Sequence, residues 1–180
     1  MKTKKLPFTF DVDKLVAEAT SIPQSAYLES YSLYVEPKTF WSAHLIEPEF
    51  NPDLTVAPKF KPNDLLRSKP YLLEVFETFQ CDMETYRVNR LDAGAVLRKH
   101  KDHLRSWEEG IFRIHVPVNT TDKVSFMLEG EPVRMKPGEC WYINIDLYHE
   151  LQNDSDTDRL NLIFDCIRNP WWEEVFAREE

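Results

Sequence analysis

The sequence predicts a mainly β protein whose core is an antiparallel sandwich or barrel with flanking helices. Three observations carry this expectation. Six short segments rich in β-formers follow one another between residues 85 and 167, turn signals separate them, and no helix intervenes between them.

The β segments run Thr85–Leu91, Ala95–His100, Ile111–Val118, Lys123–Glu129, Glu139–Asn144 and Arg159–Ile167. The turns between them are marked by Asp92-Ala-Gly94, Glu129-Gly130-Glu131-Pro132 and Lys136-Pro137-Gly138. Ahead of them, residues 1–80 read as helical or irregular support. Asp11 or Asp13 caps a helix with Leu15, Ala19 and Ile22 on one face, and Ser68 caps a second with Leu72, Val75, Phe76 and Phe79 at helical spacing. Short aromatic strands are expected over Tyr27–Val35 and Phe40–Ile46. A stretch with Pro48, Pro52, Pro58 and Pro62, within 47–69, is long for a connection and reads as a lid or wall over a site. Residues 168–180 close the chain as a helix, and the whole of 1–180 is read as one domain.

A formal net charge of −9, from 31 acidic and 22 basic residues, argues against a nucleic acid or an anionic membrane as partner. Cys81, Cys140 and Cys166 are too widely spaced for a disulfide framework or a paired-cysteine zinc site, so they read as reduced thiols. The basic start, Met1-Lys-Thr-Lys-Lys5, mimics the head of a signal peptide, but Asp11, Asp13 and Lys14 interrupt any apolar run after it. No stretch approaches the roughly 20 apolar residues of a membrane span, and a cytoplasmic location is expected.

Three of the five histidines, His100, His115 and His149, fall in the β region at places where a strand could present them to one common face. His100 and Asp102 flank Lys101, and side-chain alternation points the two the same way, so one metal ion could touch both. His149, at the end of an expected strand from Trp141, is the candidate third ligand. Two imidazoles and a carboxylate form the facial set that suits iron(II) and leaves positions open for a 2-oxoacid and dioxygen. Zinc hydrolases use similar ligands. Arg159, ten residues after His149, shares a strand face with Asn161 and Ile163 and could clamp the distal carboxylate of 2-oxoglutarate. Arg113 and His115 also share a face and read as binding anionic groups of co-substrate or substrate; an ion pair of Arg113 with an acid such as Asp146 is the alternative. Asn89 and Arg90, on a neighbouring strand, are candidate substrate contacts, and Arg98 is a further candidate anchor. His103 reads as exposed, Trp141 and Tyr142 as core aromatics, and His44 is left open between pocket and core.

With these residues in order, His100-Lys-Asp102, Arg113-Ile-His115, Gly138-Glu-Cys-Trp141, His149 and Arg159, the chain resembles the aspartyl/asparaginyl β-hydroxylases and their bacterial relatives, which include free-proline hydroxylases. The resemblance runs from about Tyr86 to Cys166. It implies a double-stranded β-helix (jelly roll, cupin-like), with His100, Asp102 and His149 holding iron(II) and Arg159 on the distal carboxylate of 2-oxoglutarate. It implies that Arg113 and His115 line the co-substrate and substrate pocket. The activity it implies is hydroxylation of an amino acid, free or as an Asp or Asn residue of a peptide, with release of succinate and carbon dioxide. Retention of Asp102 argues against halogenation, which needs a vacated metal position. Two rivals remain: a non-catalytic cupin-like module that binds a carboxylate, and a nucleic-acid demethylase. The demethylases typically carry a second arginine six positions after the first, where this chain has Asp165.

Overall fold

The computed structural model describes residues 1–30, 33–36, 39–53 and 55–178. In chain order the elements are β1 (Thr3–Thr9), α1 (Val12–Thr20), β2 (Leu28–Glu29), β3 (Phe40–His44), β4 (Ile46–Pro48), β5 (Phe60–Pro62), α2 (Asp64–Arg67), α3 (Pro70–Glu77), β6 (Met83–Leu91) and β7 (Val96–His100). They continue with β8 (Ile111–Asn119), β9 (Val124–Leu128), β10 (Glu131–Pro132), β11 (Glu139–Ile143), β12 (His149–Asn153), β13 (Arg159–Ile167) and α4 (Pro170–Ala177).

From β6 onward the chain alternates between two sheets. A major sheet has the order β1-β11-β8-β13-β6-β3-β2 and a minor sheet the order β10-β9-β12-β7. Thus β6, β8, β11 and β13 lie in one layer and β7, β9 and β12 in the other. This winding back and forth is the double-stranded β-helix. All six strands expected between residues 85 and 167 form, each within two residues of its expected ends.

The major sheet is buried on both faces, which gives β13 its unbroken buried run from Arg159 to Cys166. Its outer face carries Tyr86, Val88, Phe112, Ile114, Val116, Leu160, Leu162 and Phe164, packed beneath α1, α3 and α4 through Leu15, Leu72, Val75 and Trp172. Tyr86 stacks on Phe164 with ring centres 4.2 Å apart and donates its hydroxyl to the Leu72 carbonyl at 3.0 Å. The inner face meets the minor sheet in a smaller apolar cluster of Leu91, Leu97, Phe126, Leu128, Ile143 and Leu151. Polar residues of that inner face form the site.

The N-terminal reading needs correction. Residues 3–9 form β1, which pairs antiparallel with β11, whereas β3 falls within the strand expected over Phe40–Ile46 and lies beside β6. The Thr-Lys-Lys-Leu-Pro-Phe-Thr sequence carries too few apolar residues to announce a strand, and its edge position explains why lysines are tolerated there. Asp11 caps α1 through the Lys14 N–H. Ser68 instead closes α2, and the start of α3 is capped from outside, because the Glu18 carboxylate accepts from the N–H groups of Tyr71 and Leu72 at 2.9–3.0 Å. A cap supplied by another helix leaves no local sequence signal. Of the strand expected over 27–35, Leu28–Glu29 and a bridge of Val35 to Leu97 are present; positions 31 and 32 lie outside the described residues, as do 179 and 180 of the expected terminal helix. The proline-punctuated stretch folds into the small β4–β5 pair.

Candidate metal centre

His100 ends β7 and His149 opens β12, and the two are directly paired across the minor sheet with ring centres 4.3 Å apart. The sequence expectation of one strand from Trp141 to His149 is corrected here. β11 stops at Ile143, and the chain crosses sheets before His149. β12 alternates buried His149, Leu151 and Asn153 with exposed residues, but only Leu151 among them is apolar, so the pattern is faint in the sequence.

A register shift between His149 and Leu151 sets three steps of β7 against two of β12. This bulge leaves both Arg98 and Lys99 exposed and re-aims His100 inward. The Arg98 carbonyl then lies 2.7 Å from His100 Nδ1, and the Leu147 carbonyl 3.1 Å from His149 Nδ1. A carbonyl can only accept, so each Nδ1 carries the proton and each Nε2 presents a lone pair. Asp102, two residues past the end of β7, is pinned by its N–H to the Ile145 carbonyl at 2.8 Å. Its Oδ1 faces His100 Nε2 at 3.9 Å. Donor atoms of His100, Asp102 and His149 all lie within 4.8 Å of one another.

Asp102 is held from behind. Arg113 Nη1 donates to its Oδ2 at 2.7 Å, while Arg113 Nε and Nη2 grip the buried Asp165 at 2.7 and 2.9 Å. Arg113 was assigned by its strand face to substrate; the structure spends it on two carboxylates of this chain, leaving Asp102 Oδ1 free and oriented. Its partner is not Asp146, which instead faces the exposed His103 at 3.6 Å.

Between the sheets lies a cavity of about 220 Å³, lined by the three donor residues and by Arg87, Asn89, Arg113, His115, Arg159 and Asn161 among others. Arg159 and His115 are both buried there. Arg159 Nη2 donates to Asn161 Oδ1 at 3.2 Å, which turns the Asn161 amide nitrogen toward His115 Nδ1 at 3.4 Å. His115 is therefore protonated on Nε2. Burial, reinforced by Arg113 and Arg159, holds the ring well below its ordinary value and neutral. His115 Nε2 and Arg159 Nε are buried and have no acceptor among the described residues. Burial pulls Arg159 down to about 10, still cationic at neutral pH. Two unanswered donors, one of them charged, suit a ligand that only accepts, as a carboxylate does.

Asn89 lines the same cavity and accepts from Ser42 Oγ at 2.8 Å and Arg87 Nε at 3.0 Å. Arg90 does not line it. Alternation on β6 sends Arg90 to the other face, where it bonds Asp92 at 3.1 Å and lies over the Tyr27 and Trp41 rings. Arg98 is exposed and paired with Glu36. Arg87 was missed, although the alternation that groups Arg113 with His115 also groups Arg87 with Asn89. Among the described residues none of 47–69 lines the cavity; Ser30, Tyr34 and Phe40 cover it instead, with Tyr34 stacked on His100 at 4.8 Å.

The fold and this His-Asp-His cluster define a jelly-roll protein with a metal-capable centre in its mouth. The sequence profile of the aspartyl/asparaginyl beta-hydroxylases matches residues 24–169, and the chain belongs to that family. It is 28% identical over 164 residues to an L-proline cis-4-hydroxylase of Rhizobium meliloti (strain 1021), a match that covers 87% of this chain and 57% of that protein, so the chain spans little more than half of its relative's length. Two solved structures share the fold. A 2OG-Fe(II) oxygenase-family oxidoreductase from Burkholderia pseudomallei superposes with a TM-score of 0.61 at 13% identity, covering 93% of this chain and 86% of that one. A Pseudomonas putida prolyl-4-hydroxylase gives 0.51 at 13% identity, covering 93% of each chain.

Proposed function

We propose that this chain is an iron(II)- and 2-oxoglutarate-dependent hydroxylase acting on an amino acid, either free, such as proline, or an Asp or Asn residue of a peptide. The observation that carries the reading is the convergence of His100, Asp102 and His149 donor atoms within 4.8 Å beside a cavity whose buried Arg159 and His115 donors lack acceptors among the described residues. Family membership and the proline hydroxylase relative support it.

When bound, the metal and co-substrate supply the oxidation: dioxygen is consumed, 2-oxoglutarate loses carbon dioxide to become succinate, and one substrate C–H becomes C–OH. The chain's own residues position and shield. His100 and His149 offer Nε2 because the Arg98 and Leu147 carbonyls hold their Nδ1 protons. Asp102 offers Oδ1 because Arg113 occupies Oδ2. Arg159 meets the distal carboxylate with charge-assisted hydrogen bonds, and neutral His115 adds Nε2–H. Leu97, Phe126, Ile145 and Leu151 line the remainder with apolar surface that keeps water from the reacting centre. Three free cysteines suit a reducing cytoplasm, and among the described residues no helix is long and apolar enough to cross a membrane.

The test is conversion of 2-oxoglutarate to succinate under air with iron(II), across free amino acids and short peptides. Stimulated conversion is expected from at least one of them, and Asp102→Ala abolishes it. Arg159→Ala raises the KM for 2-oxoglutarate on the order of 10- to 100-fold, the value of a charged hydrogen-bond pair. Near-normal turnover by Asp102→Ala would refute the ligand assignment.

A further inference from the structure

A second space adjoins the cavity on the Arg159 side. It is a crevice of about 300 Å³, bounded by Pro117, Thr121, Ser125, Met135 and Lys136 among others, and the exposure of Thr121, Ser125 and Lys136 places it at the surface. Two residues, Phe126 and Arg159, line both spaces. The wall between the cavity and the crevice is therefore one aromatic ring and one guanidinium.

The two parts of this wall come from opposite layers. Phe126 points inward from β9 in the minor sheet, opposite Leu151, and Arg159 opens β13 in the major sheet. Both stand away from the metal donors. His149 is paired with Leu128, two residues along β9 from Phe126, and Asp165, which Arg113 grips beside Asp102, lies near the other end of β13. The inference drawn here rests on the 2-oxoglutarate reading above: in that reading a dicarboxylate reaching from the metal donors to Arg159 ends at this wall.

The ring is fixed on every side that matters. It lies parallel to the His149 imidazole, with centres 6.0 Å apart and planes 7° apart, and edge-on to His115 at 5.8 Å. The Phe126 carbonyl accepts from the Val133 N–H at 2.9 Å, which fastens β9 to the segment after β10. His149 and His115 each have a donor to present, so neither can yield to let the ring turn without disturbing the site. A ligand one methylene too long meets a packed wall, and overpacking a fixed site costs binding. Loss of the ring has the opposite effect, because it joins the cavity to the crevice instead of leaving a closed void. We infer that Phe126 is a specificity-determining residue that sets the length of the 2-oxo diacid, admitting 2-oxoglutarate and excluding 2-oxoadipate, which is longer by one methylene.

The experiment measures binding apart from turnover. Each diacid is titrated by calorimetry under nitrogen into manganese(II)-loaded protein, for the unaltered chain, Phe126→Ala and Phe126→Leu. The unaltered chain is expected to prefer 2-oxoglutarate on the order of 10- to 100-fold, the cost of forcing one methylene into a packed site. In Phe126→Ala that preference is expected to fall on the order of 10-fold toward parity, and in Phe126→Leu by less. The ratio is taken within one protein, so a general loosening of the fold, which weakens both ligands, leaves it unmoved. Val133→Ala is the control: Val133 lines the crevice and not the cavity, and the variant is expected to keep the preference of the unaltered chain. If Phe126→Ala fails to fold, Phe126→Leu and the unaltered chain still decide the matter. Equal binding of the two diacids by the unaltered chain overturns the assignment, as does a preference that stays the same in both Phe126 variants or falls equally in Val133→Ala. Absence of 2-oxoglutarate binding to the metal-loaded unaltered chain is a distinct result, which defeats the oxygenase reading itself.

Discussion

Two imidazoles can hold a cation only while both are neutral, and the burial of His149 enforces this. Desolvation is the largest influence on it; the neighbouring His100 adds to the effect, while the Leu147 carbonyl and Asp102 oppose it, and the net result is a fall from 6.5 to about 4. A histidine whose pKa is lowered on folding is protonated first in the unfolded chain. Its contribution to stability is complete above about pH 6.5 and is lost as the pH falls toward 4, up to on the order of 3 kcal/mol. In metal-free protein the urea midpoint is expected to drop across that window. In His149→Gln the drop is expected to be shallower, and an identical slope would show that the instability arises elsewhere. Arg159, Asn161 and Ile163 are read correctly as neighbours from alternation alone. What alternation cannot supply is the partner of each charge. Asp165 is 52 positions from Arg113 in sequence and opposite it in register, so the ion pair that redirects Arg113 from substrate to Asp102 is visible only once β8 and β13 are side by side.

At the scale of elements, the strands carrying large β-branched and aromatic residues are legible, and those built of polar residues are not. β13 has the bounds expected of it, whereas β1 and β12 are hidden because lysine, threonine, glutamine and asparagine dominate them. Yet β1 depends on a position that the sequence does mark. Gly138, in the Lys-Pro-Gly turn, has φ +77°, a region that favours glycine, and a Cβ there would lie 2.5 Å from the Phe10 carbonyl oxygen. The close approach exists because Phe10 N–H donates to the Gly138 carbonyl at 2.9 Å, tying the end of β1 to the turn before β11. Gly138→Ala therefore meets both backbone strain and backbone contact. The expected cost is about 1–3 kcal/mol, read as a lowered urea midpoint with an unchanged slope. Gly94, which has no atom within 4 Å of an added Cβ, is the control: there Ala meets only the strain of φ +73° and is expected to cost less. Equal losses at the two positions would contradict the contact.

For the whole molecule, the helices on the outer face of the major sheet leave its inner face free to carry charge. His100 and His149 come from the minor sheet, with Asp102 just past β7, and Arg159 and His115 come from the major sheet, so in the proposed assignment metal and 2-oxoglutarate would together bridge the two layers. Binding to the folded state alone stabilises it by about 2.7 kcal/mol at a hundred times Kd. For a chain of 180 residues this amounts to a rise in Tm of about 5–10 °C. Manganese(II) or iron(II) under nitrogen is expected to give such a rise, and Asp102→Ala to lose it. The effect of 2-oxoglutarate should depend on order. In the proposed assignment Arg159 and His115 grip only one end of it, and the other end needs a metal held by His100, Asp102 and His149, so its added shift is expected with metal and is expected to shrink sharply in chelator. A shift of the same size in chelator would mean that the cavity binds the dicarboxylate without the metal, the behaviour of a carboxylate-binding module and not of an oxygenase.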